Sequence, residues 1–319
     1  MTSAERDHEA DILSRRSLLT TMAVTGLGIA AQPLLAGEAK AMQGASTGLS
    51  QSGSAEEVAP MELPLRLNAL MGHTGTSVED VVASATFYAR MIGGRSLSGE
   101  KLADGSVRYF MQLGRGSVAI GKLGTLGSVG QTKPLIDHIC VGAETYDDAA
   151  WRARLKAEGL PYIAQSVFLD PDKIAIQVSG GQGGEGLAAG SLTRLPDLYT
   201  GQPLVQSIGF DHVILRVSDV DKAAAFWKRL FDIPEVGRTG DIIWITDGAS
   251  KVGLRRVQAG ERPGVDAQAI RVAQFDKARV SRELTALGAK VGRGQPYDTT
   301  NTIHFVGPDG IKAAIVSAV

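Results

Sequence analysis

The sequence has a single cysteine, Cys140, among its 319 residues, so it can form no intrachain disulfide and carries no Cys-x-x-Cys motif. It has no excess of either charge, since 33 Lys and Arg residues balance 34 Asp and Glu residues. A chain this close to neutral has no general attraction for nucleic acid or an anionic membrane surface. Glycine-rich phosphate loops between strand and helix and Ser-centred nucleophile elbows are also missing. These absences exclude several enzyme classes and favour a small molecule as the partner.

Long hydrophobic runs are missing too, apart from a mildly apolar stretch over residues 18–36. This stretch contains Thr, Gly and Pro and is short for a stable membrane span. It follows Arg15-Arg16 and precedes the small residues of Ala39-Lys40-Ala41. Residues 1–41 therefore resemble a twin-arginine signal peptide, with a Sec signal or an uncleaved anchor helix as the alternatives. We expect a periplasmic or secreted protein that keeps no stable membrane span after signal removal.

What the chain does contain is a pattern that occurs twice. His73 and His212 each precede an aromatic pair, Phe87-Tyr88 or Phe226-Trp227, by the same number of residues. Each copy also ends with Pro-Asp, at Pro171 in the first and Pro308 in the second. The separation between the copies far exceeds the roughly 20–50 residues of a solenoid repeat, which indicates duplicated domains.

Segments rich in small residues separate these copies. Residues 42–62 are rich in Ser, Gly and Ala and predict a flexible tether. A Gly-rich run opens a second such segment, residues 180–205, which we interpret as a linker rather than a backbone anion cradle. The first half of the protein is then residues 63–179, and the second half is residues 206–319. In each half, short strands alternate with single helices in the order β-α-β-β, twice over.

The module openings carry the most specific motifs. Residues 210–220 read FDHVILRVSDV, residues 136–139 read IDHI, residues 154–159 read RLKAEG, and residues 168–172 read FLDPD. These motifs resemble the vicinal oxygen chelate superfamily, which includes glyoxalases, bleomycin-resistance proteins and extradiol dioxygenases. The resemblance implies an α+β fold of four βαβββ modules, paired into two tandem glyoxalase-like domains. Each pair is expected to curl its sheet into an open barrel around a cavity.

The resemblance also implies metal ligands on the first and last strands of the modules. In the first half these positions fall on His73, His138 and Gln177, where the family usually has Glu at the third. Two imidazoles and a carboxylate are typical ligands of iron, manganese or zinc. Since an amide brings no charge, a divalent metal cofactor is expected to bind here less tightly than at a carboxylate site. A metal-free polar cavity is the alternative.

In the second half, the same mapping leaves one ligand. His212 keeps the first-strand position, while the other two positions fall on Ala267 and Ala314. A single imidazole cannot hold a catalytic metal in water. The second half is therefore expected to be structural, or to form a metal-free pocket.

Other side chains are expected to border the first cavity. Tyr109, Phe110 and Tyr162 fall on strands around it and are candidate substrate contacts, although their default interpretation is core packing. Cys140 should face the same way as His138 along a strand, either as a packing residue or as a soft ligand. Arg255 could bind an anionic ligand in the second half or form a salt bridge.

Taken together, these features predict an exported metal-assisted enzyme, a dioxygenase, lyase or isomerase, that acts on a small oxygen-rich molecule in the first half. The alternative is a non-catalytic protein that sequesters a small molecule, as bleomycin-resistance proteins do. A third interpretation is a domain pair kept for assembly with a partner. Members of the superfamily often dimerise, which leaves a homodimer open.

Overall fold

Two sheets of mixed strands form the framework of the protein. The computed structural model describes residues 58–93, 98–101, 105–124, 128, 131–164, 166–180, 193–292, 295, 298 and 301–318. The predicted signal peptide and most of the predicted tether lie outside the described residues. The elements below belong to one compact unit, residues 56–101 and 106–319.

The first sheet is built from nine strands. They are β1 (Leu67–Val78), β2 (Ser98–Lys101), β3 (Val107–Gln112), β4 (Ser117–Lys122), β5 (Leu135–Ala143), β6 (Tyr162–Ala164), β7 (Val167–Leu169), β8 (Ala175–Gly180) and β9 (Thr193–Arg194). Their order across the sheet is β6-β7-β8-β5-β1-β4-β3-β2-β9. Strands β1 and β5 run antiparallel at its centre, and each has a parallel partner on its other side, β4 and β8 respectively. Strand β9 lies within the segment predicted as a linker and pairs with β2.

The second sheet repeats this arrangement with eight strands. They are β10 (Ser207–Val217), β11 (Glu235–Thr239), β12 (Ile242–Thr246), β13 (Lys251–Arg256), β14 (Gly264–Val272), β15 (Lys290–Val291), β16 (Thr302–Val306) and β17 (Lys312–Ser317). Their order is β11-β12-β13-β10-β14-β17-β16-β15. Strands β10 and β14 take the central antiparallel positions. Neither sheet closes into a barrel, and the α+β class predicted from the sequence is confirmed.

One helix follows the first strand of each module, and an aspartate begins every one of them. The helices are α1 (Val81–Ile92), α2 (Asp148–Ala157), α3 (Val220–Phe231) and α4 (Lys277–Ala286). Their N-caps are Asp80, Asp147, Asp219 and Asp276. Each carboxylate accepts hydrogen bonds from backbone N–H groups of the first turn, which satisfies donors that the helix itself leaves unpaired. The four predicted βαβββ modules are therefore present. In the described part of the chain, no helix has the length and apolar character to cross a bilayer.

The central strands of both sheets contain β-bulges that redirect side chains. On β5, His138 pairs with Gly75, but the next pair joins Ile136 to Thr76, so Asp137 is an extra residue. On β14, the equivalent extra residue is Asp266, between Val265 and Ala267. A bulge breaks the strict alternation of a strand. Asp137 and His138 can therefore approach the same neighbours, although they are consecutive.

A buried polar bridge joins the two sheets. The Gln268 side chain on β14 is 1% exposed. Its Oε1 accepts a 2.5 Å hydrogen bond from the Thr74 hydroxyl on β1, and its Nε2 donates a 3.0 Å hydrogen bond to the Tyr88 hydroxyl on α1. The rings of Phe87 and Phe305 approach nearby, with centroids 6.0 Å apart. One amide thus satisfies two buried hydroxyls from the first half.

Replacing this amide by an apolar group tests how firmly the halves depend on it. Gln268→Leu should lower the free energy of unfolding by about 1–3 kcal/mol, because it leaves the hydroxyls of Thr74 and Tyr88 buried without their partner. Chemical denaturation of the purified protein measures this change. Gln258→Leu, at an exposed position, is the matched control and should change stability by less than about 0.5 kcal/mol. Equal effects of both substitutions would show that the bridge contributes nothing specific.

Candidate metal centre

Two histidines from neighbouring strands meet on one face of the first sheet. His73 on β1 and His138 on β5 are 4% and 5% exposed. Their Nε2 atoms lie 3.1 Å apart, and their rings are edge to face, with an interplanar angle of 88°. The convergence of these two imidazoles follows from the antiparallel pairing of β1 and β5, which brings distant parts of the chain into adjacent positions.

The bulge residue Asp137 fixes the orientation of one imidazole. Its Oδ1 accepts a hydrogen bond from Nδ1 of His138, and its Oδ2 accepts one from the Ser77 hydroxyl. Because Nδ1 of a neutral His138 carries the proton in this arrangement, Nε2 carries the lone pair that faces His73. Burial alone would raise the pKa of Asp137, but its neighbours His138, Ser77 and Arg108 lower it below its ordinary value.

Gly75 provides the space that the His138 ring occupies. It pairs with His138 across the two strands. A Cβ atom at this position would lie only 2.0 Å from Cε1 of His138 and 2.6 Å from Oδ1 of Asp137. Any side chain here would displace the ring, so the absence of one is a requirement of the site.

Gln177 lies on the same face as the histidine pair. His73 is in register with Cys140 on β5, and Cys140 is in register with Gln177 on β8. Residues in register on adjacent strands project to the same side of a sheet. Gln177 is 8% exposed. It therefore occupies a buried position two strands from His73, with Cys140 between them.

The thiol of Cys140 is not a reactive group in this position. The side chain is fully buried, and its Sγ atom lies 3.3 Å from the Ser179 hydroxyl. Burial raises the pKa of Cys140 to about 12, although the Ser179 hydrogen bond opposes this shift. A buried thiol that stays protonated is a poor nucleophile, which favours packing as the role of Cys140.

The histidine pair fits a divalent metal ion. Two nitrogen ligands, each about 2.1 Å from one ion and roughly 90–110° apart, lie about 3.0–3.4 Å from each other. The measured Nε2 separation of 3.1 Å falls in this range. A carboxylate that holds the other nitrogen of a ligating histidine, as Asp137 holds His138, is the usual support of such a site. In the part of the chain that the structure describes, no three His, Cys, Asp or Glu side chains gather as a metal-binding group, so a third protein ligand would have to be an uncharged group such as Gln177.

The three aromatic candidates for substrate contact do not share one face. Phe110 is in register with Ala119, and Ala119 with Gly75, which places Phe110 on the same face as His138. Tyr109 precedes Phe110 on β3, projects to the opposite face of the sheet and belongs to the hydrophobic core. Tyr162 is in register with Phe168, and its ring lies 4.3 Å beneath the Arg152 guanidinium of α2. Phe110 alone of the three is therefore on the side of the histidine pair.

Arg108 is a functional candidate that the sequence reasoning missed. It precedes Tyr109 on β3 and so projects to the face that carries Phe110. Its side chain is 8% exposed, and it lies close enough to Asp137 for its charge to stabilise that carboxylate. A buried cation at a strand position is unusual. An arginine in an otherwise apolar strand was the available signal. Asp137 was missed in the same way. Its signal in the sequence was the Asp-His pair, which occurs in both halves as Asp137-His138 and Asp211-His212.

The second half keeps the strand register but not the ligands. His212 is in register with Ala269 and Ala269 with Ala314, in the positions of His73, Cys140 and Gln177. Likewise Ile214 pairs with Ala267 where Gly75 pairs with His138. The small and large residues are thus exchanged between the paired strands of the two halves.

His212 is held by a different set of partners. Its Nδ1 lies 2.8 Å from Oδ2 of Asp211, whose Oδ1 accepts a 3.0 Å hydrogen bond from Nε of Arg271. Burial would raise the pKa of Asp211, but His212 and Arg271 outweigh it and lower this pKa to about 2. The His212 ring stands edge to face against Trp244, with centroids 5.3 Å apart. These contacts make His212 part of a packed ionic cluster.

The bulge aspartate of the second half is used in salt bridges. Asp266 Oδ2 accepts a 2.8 Å hydrogen bond from Arg255, and its Oδ1 accepts one of 2.9 Å from Lys312. Arg255 also forms a bidentate pair with Glu261 at 2.6 and 2.8 Å. Of the two roles considered for Arg255, the salt bridge is therefore the one seen. The bulge aspartate therefore orients a histidine in the first half, whereas in the second half it pairs with the side chains of Arg255 and Lys312.

Comparisons with known proteins agree with this architecture. Residues 209–315 match the model of the Glyoxalase/Bleomycin resistance protein/Dioxygenase superfamily. The fold resembles the crystal structure of the Mn(II)-bound glyoxalase from Novosphingobium aromaticivorans, with 16% identity, a TM-score of 0.56, and coverage of 79% of this chain and 83% of that one. It also resembles the 2,3-dioxygenase LapB from Pseudomonas sp. KL28, with 15% identity, a TM-score of 0.54, and coverage of 80% and 93%.

A third similar structure is homoprotocatechuate 2,3-dioxygenase from Arthrobacter globiformis, with 15% identity, a TM-score of 0.54, and coverage of 82% of this chain and 84% of that one. No curated protein matches the chain. At these identities the likeness concerns the fold, which is that of tandem glyoxalase and extradiol dioxygenase proteins. The predicted resemblance is confirmed at this level, by the family model over residues 209–315 and by the solved structures over most of the chain.

Gly75 offers a test of the histidine geometry that leaves every polar group in place. Gly75→Ala should displace the His138 ring and weaken binding of Mn²⁺ or Zn²⁺ by about tenfold or more, as loss of a supporting contact does. Isothermal titration with the metal alone measures the effect. Gly292→Ala, at an exposed position where a Cβ atom would make only an ordinary contact, is the control and should leave metal affinity unchanged. Unaltered affinity in Gly75→Ala, with its fold intact, would contradict the assigned position of the ring.

Proposed function

We propose that this protein is a divalent-metal-dependent enzyme whose active site lies in the first half. Nε2 of His73 and Nε2 of His138 would hold the ion, and Gln177 would supply the third protein ligand. The observation that carries this proposal is the 3.1 Å separation of the two Nε2 atoms, combined with the hydrogen bond of Asp137 to the other nitrogen of His138. The substrate would be a small molecule that presents two adjacent oxygens.

The residues around the pair have distinct roles in this proposal. When bound, the ion would polarise adjacent substrate oxygens and stabilise the negative charge that develops on them. Asp137 keeps the Nε2 lone pair of His138 facing His73, and Ser77 keeps Asp137 in place. Phe110 would line the substrate side of the cavity. Such positioning is what allows a metal centre to act without rearrangement.

The reaction class is proposed more broadly than the site. Ring-opening oxygenation and a lyase or isomerase step could both use a metal ion that is chelated by two adjacent oxygens of the substrate. The similar solved structures include a Mn(II)-bound glyoxalase and two 2,3-dioxygenases, which supports this range of reactions. The second half would serve as a structural partner, because Ala267 and Ala314 stand where ligands would be needed.

A second candidate function is sequestration of a small molecule without catalysis. It is favoured by one specific observation, that the third ligand position carries the uncharged Gln177. In this case the cavity would bind its ligand through the polar groups of the first sheet, and metal would not be required. Metal content and ligand binding in the same variants separate the two functions.

Metal analysis tests the leading proposal directly. Protein purified without a His-tag should contain a divalent ion of iron, manganese or zinc in near-stoichiometric amount. The double variant His73→Ala/His138→Ala should lose it, because both nitrogen ligands are removed, whereas His212→Ala should retain it. Elemental analysis by mass spectrometry provides the measurement. Sequestration would instead be supported if the wild-type protein contains no metal and the double variant binds the small molecule with undiminished affinity.

We also propose that residues 1–41 direct export of the folded protein. The supporting observation is Arg15-Arg16 ahead of a short apolar stretch and a small-residue cleavage site. In a host with twin-arginine transport, Arg15→Lys/Arg16→Lys should leave unprocessed protein in the cytoplasm, because that pathway requires the arginine pair. Arg6→Lys, outside the motif, is the control. Cell fractionation with immunoblotting reports the outcome, and normal export of the double variant would exclude this pathway.

A further inference from the structure

The strands that form and flank the candidate metal centre are nearly devoid of charge. Strands β1, β3, β4, β5 and β8 together contain three residues with charged side chains, namely Arg108, Lys122 and Asp137. Lys122 is exposed at the end of β4. Arg108 and Asp137 are both buried and have opposite signs, so their charges cancel. The position at which a carboxylate ligand would be expected carries the neutral amide of Gln177.

This balance leaves the charge of a divalent ion uncompensated by the described strands. Two neutral imidazoles and one amide provide lone pairs but no negative charge. Asp137 cannot supply this negative charge as a metal ligand while its two oxygens accept hydrogen bonds from His138 and Ser77. Burying an uncompensated charge carries a large free-energy penalty unless a counter-charge accompanies it. The missing negative charge must therefore arrive with the ligand.

We propose that Gln177 makes metal binding depend on an acidic ligand, and that this ligand is a small dianion with two adjacent chelating oxygens, of the oxalate class. The inference rests on the proposed metal function of His73 and His138 and adds the charge of the ligand to it. Because coupling between two binding sites is reciprocal, the metal and the dianion each raise the affinity for the other by the same factor.

Titration of the full-length protein with Mn²⁺, using oxalate as the probe, tests this coupling. Oxamide, a neutral molecule of the same shape, is the matched ligand, and formation of the free Mn²⁺–oxalate complex is included in the fit. Saturating oxalate should raise the Mn²⁺ affinity of the wild-type protein by about tenfold or more, and oxamide should not. This comparison requires no variant and so does not depend on the folding of a mutant.

A charge substitution at Gln177 tests the cause. Gln177→Glu should bind Mn²⁺ alone about tenfold or more tightly than the wild type, because it restores the missing carboxylate, and should lose most of the oxalate effect. Gln258→Glu adds the same charge at an exposed position of the second half and should behave as the wild type does. Circular dichroism verifies that each variant is folded.

Three results would overturn the inference. The first is an equal effect of oxalate and oxamide on Mn²⁺ affinity, and the second is a Gln177→Glu variant that binds Mn²⁺ no more tightly than the wild type. If either occurs while His73→Ala/His138→Ala abolishes Mn²⁺ binding, the metal site stands and the role of Gln177 is wrong. The third is the absence of Mn²⁺ binding in every form of the protein, which would overturn the proposed function together with this inference.

Discussion

The approach of two buried imidazoles across a pair of antiparallel strands is the interaction on which the rest of the site depends. Since Asp137 accepts a hydrogen bond from the Nδ1–H group of a neutral His138, the Nε2 of that ring presents a lone pair. At 3.1 Å, the Nε2 of His73 must either donate a proton to it or join it on a cation. Gly75 and the bulge at Asp137 make this arrangement possible. Gly75 leaves room for the His138 ring, and the bulge allows the consecutive residues Asp137 and His138 to approach the same neighbours.

Duplication explains why the two halves share a strand framework and differ in the side chains that it carries. His212, Ala267 and Ala314 occupy the same places in the strand register as His73, His138 and Gln177. In the second half His212 belongs to a cluster with Asp211 and Arg271, and Gln268 contributes a buried polar bridge to the first half. The same framework therefore carries two converging imidazoles in one half and one imidazole at the matching positions of the other.

Much of the architecture follows from local signals in the sequence. Repetition of the histidine and aromatic pattern predicts the duplication, and aspartates before apolar helical runs predict the helix starts. The positions of Ala267 and Ala314 also follow from spacing, because β14 and β17 are as long as β5 and β8. The side of a strand on which Tyr109 or Phe110 lies could not be predicted, since a shift of one residue reverses it. The bulge at Asp137 is likewise invisible without coordinates, and so the partnership of Asp137 with His138 and the burial of Arg108 were found only in the structure.

Direct location of the metal tests the central claim. Crystals of the full-length or processed protein grown with Mn²⁺ allow an anomalous difference map at the manganese absorption edge. The account predicts one strong peak about 2.1 Å from Nε2 of both His73 and His138, on the side of the sheet that carries Gln177. A map without a peak between these two nitrogens, or with its strongest peak at His212, would contradict it.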